Sequence, residues 1–348
     1  MSSNDLQKDL EAIIKKEGVP ALAAAAFVNG ELREIAAAGL REFDKPDRVT
    51  VNDIWHIGSC TKPMTATLTA ILIEDGHFSW NTKIADIFEF WGNLIQPGWR
   101  KVTLEQLLAH RGGAPANVPP ELWEEGWKRI GTPMEQRAQF VRQLLTMPPA
   151  AVPGKRVIYS NTGYAIIGHM LEHCLEQEFE DLMQARLFSA LGMDSAGFGP
   201  PGTPGIIDQP RGHELTESGG WKPVEPGLLA DNPPLIAPAA TVHCSIEDLG
   251  KFAASHANRL SIVSEESLER LQSPYRAGEF GLGWVVVPRS WGSGNVLTHT
   301  GSNTFWYTSL WIAPKRHAAF VAATNAPRPP GETACSVACE KMIIRILG

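Results

Sequence analysis

The sequence predicts an α/β chain whose strand-bearing ends enclose a helical middle. Three observations lead there. A hairpin signal, Asn29-Gly30 between two apolar runs, sits near one end. Short strand-type runs return between residues 281 and 324. Between them the apolar residues recur at helical spacing, broken by Gly and Pro. The chain therefore divides into a discontinuous α/β sheet domain, 1–78 with 281–348, and a mainly helical lobe, 79–280.

Taken in order, residues 4–17 form an amphipathic helix with Leu6, Leu10, Ile13 and Ile14 on one face, ended by Gly18-Val19-Pro20. Strands 21–28 and 31–38 follow, and their many alanines imply close cover by helices. A polar connection, 44–52, leads to Trp55-His56-Ile57-Gly58-Ser59-Cys60-Thr61-Lys62-Pro63. Gly58 permits a tight entry, Ser59 is a helix-start residue, and Pro63 is tolerated only near a first turn. From Met64 the residues stay small and apolar to Ile73, so this helix runs through a core. Residues 80–90 are loop-like. Helices are expected at 102–110, begun at Thr103, then around 122–129, 134–145, 164–176 and 179–191. Residues 197–240, rich in Gly and Pro, read as a long connection. Helices at 245–257 and 264–271 precede strands at 281–287, 296–299, 305–312 and 317–324, and a last helix spans 334–347.

Composition narrows the function. The 348 residues are 43% hydrophobic and 20% charged, with net charge −7 and no long basic run. Nucleic acid and anionic membranes are therefore not expected partners. No run reaches membrane-spanning length. Five unpatterned cysteines do not form a disulfide framework, and residues 1–16 lack the apolar core of a secretory signal. The expectation is a cytoplasmic protein; oligomeric state has no sequence signal.

Ser59 and Lys62 are three apart, hence on one helical face, so the amine can reach the hydroxyl. A serine needs a neighbouring base to act as nucleophile, and a buried lysine near a helix N-terminus loses proton affinity. Tyr159-Ser160-Asn161 stands in a loop before a helix, where it can present a phenol and an amide to a cleft. Near an ammonium that phenol should have a lowered pKa and relay protons. His299-Thr300-Gly301 ends a strand, and Gly301 lets another backbone approach, with the Ser302 N–H as a candidate oxyanion donor. Trp306 is the first candidate, among eleven tryptophans, to line an apolar acyl pocket. Each segment also has an ordinary structural explanation: a helix cap, a turn, a satisfied histidine, a core ring.

Other matches are weaker. His169-Met170-Leu171-Glu172-His173 fits a zinc signature, but its helix reads as amphipathic packing. Gly197-Phe198-Gly199-Pro200-Pro201-Gly202 fits a dinucleotide fingerprint, yet prolines stand where its helix should open. Cys335 and Cys339 share a helix face and read as core.

In this order, Ser59-Cys60-Thr61-Lys62, Tyr159-Ser160-Asn161 and His299-Thr300-Gly301 resemble the motifs of the serine β-lactamase and penicillin-binding-protein superfamily. The resemblance is strongest to the class C β-lactamase branch, with its related esterases, D-aminopeptidases and D-alanyl-D-alanine carboxypeptidases. It extends to Leu104-Glu105-Gln106-Leu107-Leu108-Ala109-His110, Leu191-Gly192-Met193-Asp194 and Gly281-Leu282-Gly283-Trp284. It implies a mostly antiparallel sheet flanked by helices with an inserted helical lobe. It implies Ser59 as acylated nucleophile, Lys62 as its base and Tyr159 as proton shuttle. Asn161 would contact substrate, His299 and Gly301 would edge the cleft, and the Ser59 and Ser302 N–H groups would form the oxyanion hole. No metal or organic cofactor follows. β-Lactamases of this branch usually carry lysine where His299 stands, a permanent cation for a substrate carboxylate. The expected activity is therefore hydrolysis of a small-molecule carboxylic ester, or a small amide, through an acyl-enzyme. The alternatives are a D-amino-acid peptidase or weak β-lactamase on the same site, and a non-catalytic binding relative.

Overall fold

The structure, a computed structural model, describes residues 3–257, 262–276 and 278–348. Strands β1 (Ala21–Val28) and β2 (Glu31–Gly39) form the expected hairpin. Asn29 and Gly30 both take positive φ, 55° and 83°, as a two-residue turn of matching twist requires. Next come β3 (Ile54–His56), β4 (Gly197–Phe198), β5 (Gly212–Leu215), β6 (Trp221–Val224) and β7 (Val242–Ser245). Late in the chain lie β8 (Val285–Arg289), β9 (Gly294–Ser302), β10 (Tyr307–Ala313) and β11 (Ala318–Thr324).

The main sheet is six-stranded, in the order β2-β1-β11-β10-β9-β8, and each neighbouring pair is antiparallel. The two ends of the chain meet at its centre, where Ala24 pairs with both Ala322 and Ala36. Alanines on both faces let helices lie close. Helices Ser3–Glu17 and Pro330–Leu347 cover one face through Leu6, Leu10, Ala338 and Met342. Helix Ile246–Ala257 covers the other, against β1 and β11. That helix comes from the stretch assigned to the helical lobe, so the sheet layer takes more of the chain than 1–78 and 281–348.

Helix Thr61–Glu74 is buried from Thr61 through Leu72. It is apolar or small on every side, as a helix through a core must be. In the lobe, helices Pro133–Leu144 and Asn161–Leu175 are tied by the fully buried Arg137, whose Nη2 lies 2.7 Å from Glu172 Oε1. This pairing answers the zinc-signature match. Glu172 is committed to Arg137, while His169 stacks on Phe88 and Trp91. The stretch 197–240 is not a bare connection. It contains the β5–β6 hairpin and β4, which joins β3 and β7 in a small sheet. Strands of two to four residues, one containing Pro223, are too short to show alternation. Among the described residues no helix is long and apolar enough to cross a membrane.

Candidate active site

The turn before the core helix is a 3₁₀ turn, Gly58–Cys60, and the α-helix proper starts at Thr61. Ser59 was expected to start the helix as its cap, but no side chain caps it. The Ser59 hydroxyl faces Lys62 instead, with Nζ 3.0 Å from Oγ. Gly58 adopts φ +50° and packs on the end of β9; a Cβ there would lie 2.3 Å from the Ser302 nitrogen. Gly301 packs reciprocally, and its Cβ would meet Ile57 O at 2.0 Å and the Ser59 nitrogen at 2.7 Å. Two missing side chains thus let the backbone of the Ser59 turn and that of the Ser302 strand end approach closely.

Lys62 is fully buried, and its Nζ has three neighbours: Ser59 Oγ, Asn161 Oδ1 at 2.8 Å and Ala239 O at 3.1 Å. No carboxylate is among them. Burial therefore lowers its pKa from 10.5 to about 7. A neutral amine has two N–H groups and one lone pair. The two carbonyl oxygens can only accept, so they take the N–H groups and leave the lone pair for the Ser59 O–H. Asn161, expected to contact substrate, is held to the lysine. Its position follows from the helix start: Ser160 caps the helix by accepting from Gly163 N–H at 2.9 Å, and Asn161 is the first helical residue.

The Tyr159 ring lies under Lys62, 4.6 Å from Nζ to centroid, and its hydroxyl hydrogen-bonds with Ser59. Its pKa is raised, by burial above all, with the Ser59 bond acting weakly the other way. This reverses the expected lowering. The physical reason is burial, which disfavours the charged phenolate more than the neighbouring donors favour it. Tyr159 is thus a neutral phenol, able to pass a proton on but not poised as phenolate. A residue missed as functional supports it. His110 packs against the Tyr159 ring, tilted at 38° with centroids 4.5 Å apart, and accepts from the Ser160 N–H at 3.1 Å. Only its place in the Leu104–His110 motif hinted at this.

A cavity of about 610 Å³ opens in front of Ser59, lined also by Tyr159, Phe280, His299, Ser302 and Arg328. His299 Nδ1 lies 2.8 Å from Thr300 O, so Nδ1 carries the proton and Nε2 is an acceptor. Burial first, then Lys62, lowers its pKa to about 3. It is neutral at physiological pH. Trp306 does not line this cavity. It is fully buried, its Nε1–H donating to Pro210 O at 3.3 Å and its ring stacked on His56 at 5.8 Å. A large ring beside a glycine-rich hairpin serves as core here, and the role expected for it in an acyl pocket falls away. Arg328, which sequence reasoning passed over, lines the cavity instead.

Comparison with known proteins gives a consistent picture. A family model described as Beta-lactamase matches residues 6–335. Penicillin-binding protein 4 of Amycolatopsis lactamdurans is 29% identical over 187 residues, 54% of this chain and 47% of that protein. An unguisins hydrolase of Aspergillus violaceofuscus is 27% identical over 194 residues, 54% of this chain and 33% of that protein. The matches therefore span half or less of these two relatives' length. In fold, the class C β-lactamase from Rhodobacter sphaeroides superposes with TM-score 0.76 at 22% identity, covering 99% of this chain and 100% of that one.

Proposed function

The chain belongs to the β-lactamase family, whose members are serine hydrolases, and from that premise we propose that it cleaves a carboxylic ester, or a small amide, through an acyl-enzyme on Ser59. The observation that carries this reading is the set of partners around Lys62. Two carbonyl oxygens occupy its N–H groups and the serine hydroxyl faces its lone pair.

The chemistry follows from those positions. Lys62 Nζ takes the Ser59 proton as Oγ bonds to the substrate carbonyl carbon. The oxyanion forms between the Ser59 and Ser302 N–H groups. As the tetrahedral species collapses, the leaving alkoxide takes a proton through the neutral Tyr159 hydroxyl, and Lys62 restores it. Water then attacks the acyl group by the reverse proton path. His299 and Gly301 hold the edge along which the substrate lies. The acidic balance of the chain, net −7, supports small-molecule substrates over nucleic acid.

The test is an acyl adduct. Incubation with a short-chain p-nitrophenyl ester, acid quench and peptide mass spectrometry should place the acyl mass on Ser59. No turnover, or an adduct elsewhere, rejects the reading. Tyr159→Phe should lower kcat about 10²-fold. Its thermal midpoint should barely move, because the ring contact with His110 stays.

One observation favours a second reading, a D-amino-acid peptidase or weak β-lactamase. Among the described residues, Arg328 is the one permanently charged side chain lining the cavity, so an anionic substrate has a partner there. Under the ester reading, kcat/KM for a neutral ester exceeds that for nitrocefin and D-alanyl peptides. Under the second reading the order reverses, and Arg328→Gln lowers only the anionic substrates, about tenfold.

A further inference from the structure

The nucleophile turn and the end of β9 carry the two oxyanion donors, yet they belong to different parts of the chain. Something must fix their separation. Gly58 N–H donates to His56 Nδ1 at 3.1 Å, so that ring nitrogen is unprotonated and the proton sits on Nε2. His56 Nε2 lies 2.9 Å from Asp231 Oδ2, and both side chains are buried. Neither atom makes a hydrogen bond of regular geometry among the described residues, so this close ion-pair contact is what offsets the burial of both. The second oxygen, Asp231 Oδ1, accepts from the neighbouring Asn232 N–H at 2.7 Å and from Asn303 Nδ2 at 3.4 Å. Asn303 directly follows Ser302, and its Oδ1 accepts from the N–H groups of Phe305 and Trp306 at 3.2 and 3.4 Å. Its Nδ2 also donates to Ala230 O at 3.0 Å.

We propose that Asp231 is a positioning residue that sets the oxyanion hole, gripping the Ser59 turn through His56 with one oxygen and the Ser302 strand end through Asn303 with the other. The inference rests on the reading of Ser59 as the acylated nucleophile. The groups around the Asp231 oxygens, His56 Nε2–H, Asn303 Nδ2 and the Asn232 N–H, are all donors, so a carboxylate is required. The equal-sized amide of Asp231→Asn keeps one accepting oxygen and must turn its NH2 either toward His56 Nε2–H or toward the donors of Asn232 and Asn303. The hole would then lose its spacing while Ser59, Lys62 and Tyr159 keep their own contacts. Interactions with an oxyanion count in the transition state more than in the bound ester, so kcat should carry the loss and KM should not.

The experiment compares a p-nitrophenyl ester with its thiono analogue, whose C=S sulfur is a poor occupant of an oxyanion hole. The oxygen-to-sulfur ratio of kcat/KM is measured within each enzyme, so misfolded protein cancels. Wild type should strongly prefer the oxygen ester. Asp231→Asn and Asn303→Ala should lower kcat for that ester tenfold or more, leave KM within about threefold and reduce the oxygen-to-sulfur ratio about tenfold. His56→Gln should restore most of the ratio lost in His56→Leu, since its amide can accept from Gly58 and donate to Asp231. An unchanged ratio in Asp231→Asn and Asn303→Ala, whatever happens to kcat, overturns the proposal. Absence of turnover by wild type overturns the hydrolase reading instead, which separates the two failures.

Discussion

Ser59→Ala, Lys62→Met and the double variant should all fall to the same residual ester turnover, about 10⁴-fold below wild type. Groups that act as a unit are not additive. Without the hydroxyl the amine has nothing to deprotonate, and without the amine the hydroxyl has no base. Steady-state kinetics on one p-nitrophenyl ester checks this. A Lys62→Met variant within tenfold of wild type would move the base to another group. The wild-type profile should rise with pH through about 7 as Lys62 loses its proton. Stability should respond in the same window. Because the folded-state pKa lies below the unfolded 10.5, the unfolded chain binds more protons between about 7 and 10.5. Stability contributed by this site therefore rises with pH across that range and is lowest below it. The thermal midpoint of Lys62→Met should exceed that of wild type most at pH 6 to 7 and converge with it as pH rises.

Gly301→Ala should lower kcat/KM about 10³-fold, comparable to the loss of an oxyanion donor. The added carbon would lie 2.0 Å from Ile57 O, 2.7 Å from the Ser59 nitrogen and 2.8 Å from the Cys60 nitrogen. All three are backbone atoms, so no side chain can swing aside. Either β9 or the Ser59 turn must retreat, and each carries one donor. Circular dichroism should still report a folded protein, because the rest of β9 keeps its pairing with β10. Activity close to that of wild type would show that the two segments do not meet as described.

The main architecture was legible because its signals are local. The Asn29-Gly30 turn, the charge-free run after Lys62 and the returning strands are each visible in short windows, and the sheet and its helical cover follow from them. Ser59, Lys62, Tyr159, His299 and Gly301 could be named for the same reason: three short segments with distinctive residue types, which the structure brings to one cavity. What stayed illegible depends on neighbours distant in sequence. Trp306 is an aromatic residue near the proposed cleft, and only the packing of His56 and Pro210 shows that it is core. The expected substrate contact of Asn161 says nothing of its Oδ1, which lies 2.8 Å from Lys62 Nζ, 99 positions away in the chain. The direction of the Tyr159 shift turns on how far the phenol is removed from water, which no motif states. Asp231 lies in a Gly- and Pro-rich stretch with no period, and nothing near it in sequence announces a partner.

The pairing of β1 with β11 also bears on how the chain is made. Thr324 Oγ1 donates to Ala21 O, an association across 303 positions. On the ribosome the first hairpin and the nucleophile helix emerge long before the strands that cover them. Until β9, β10 and β11 arrive, the inner edge of β1 and an almost uncharged helix stay open to water and to other nascent chains. Chaperone demand should therefore peak in the interval between synthesis of residue 74 and residue 324, and hydrolytic competence can arise only at its close.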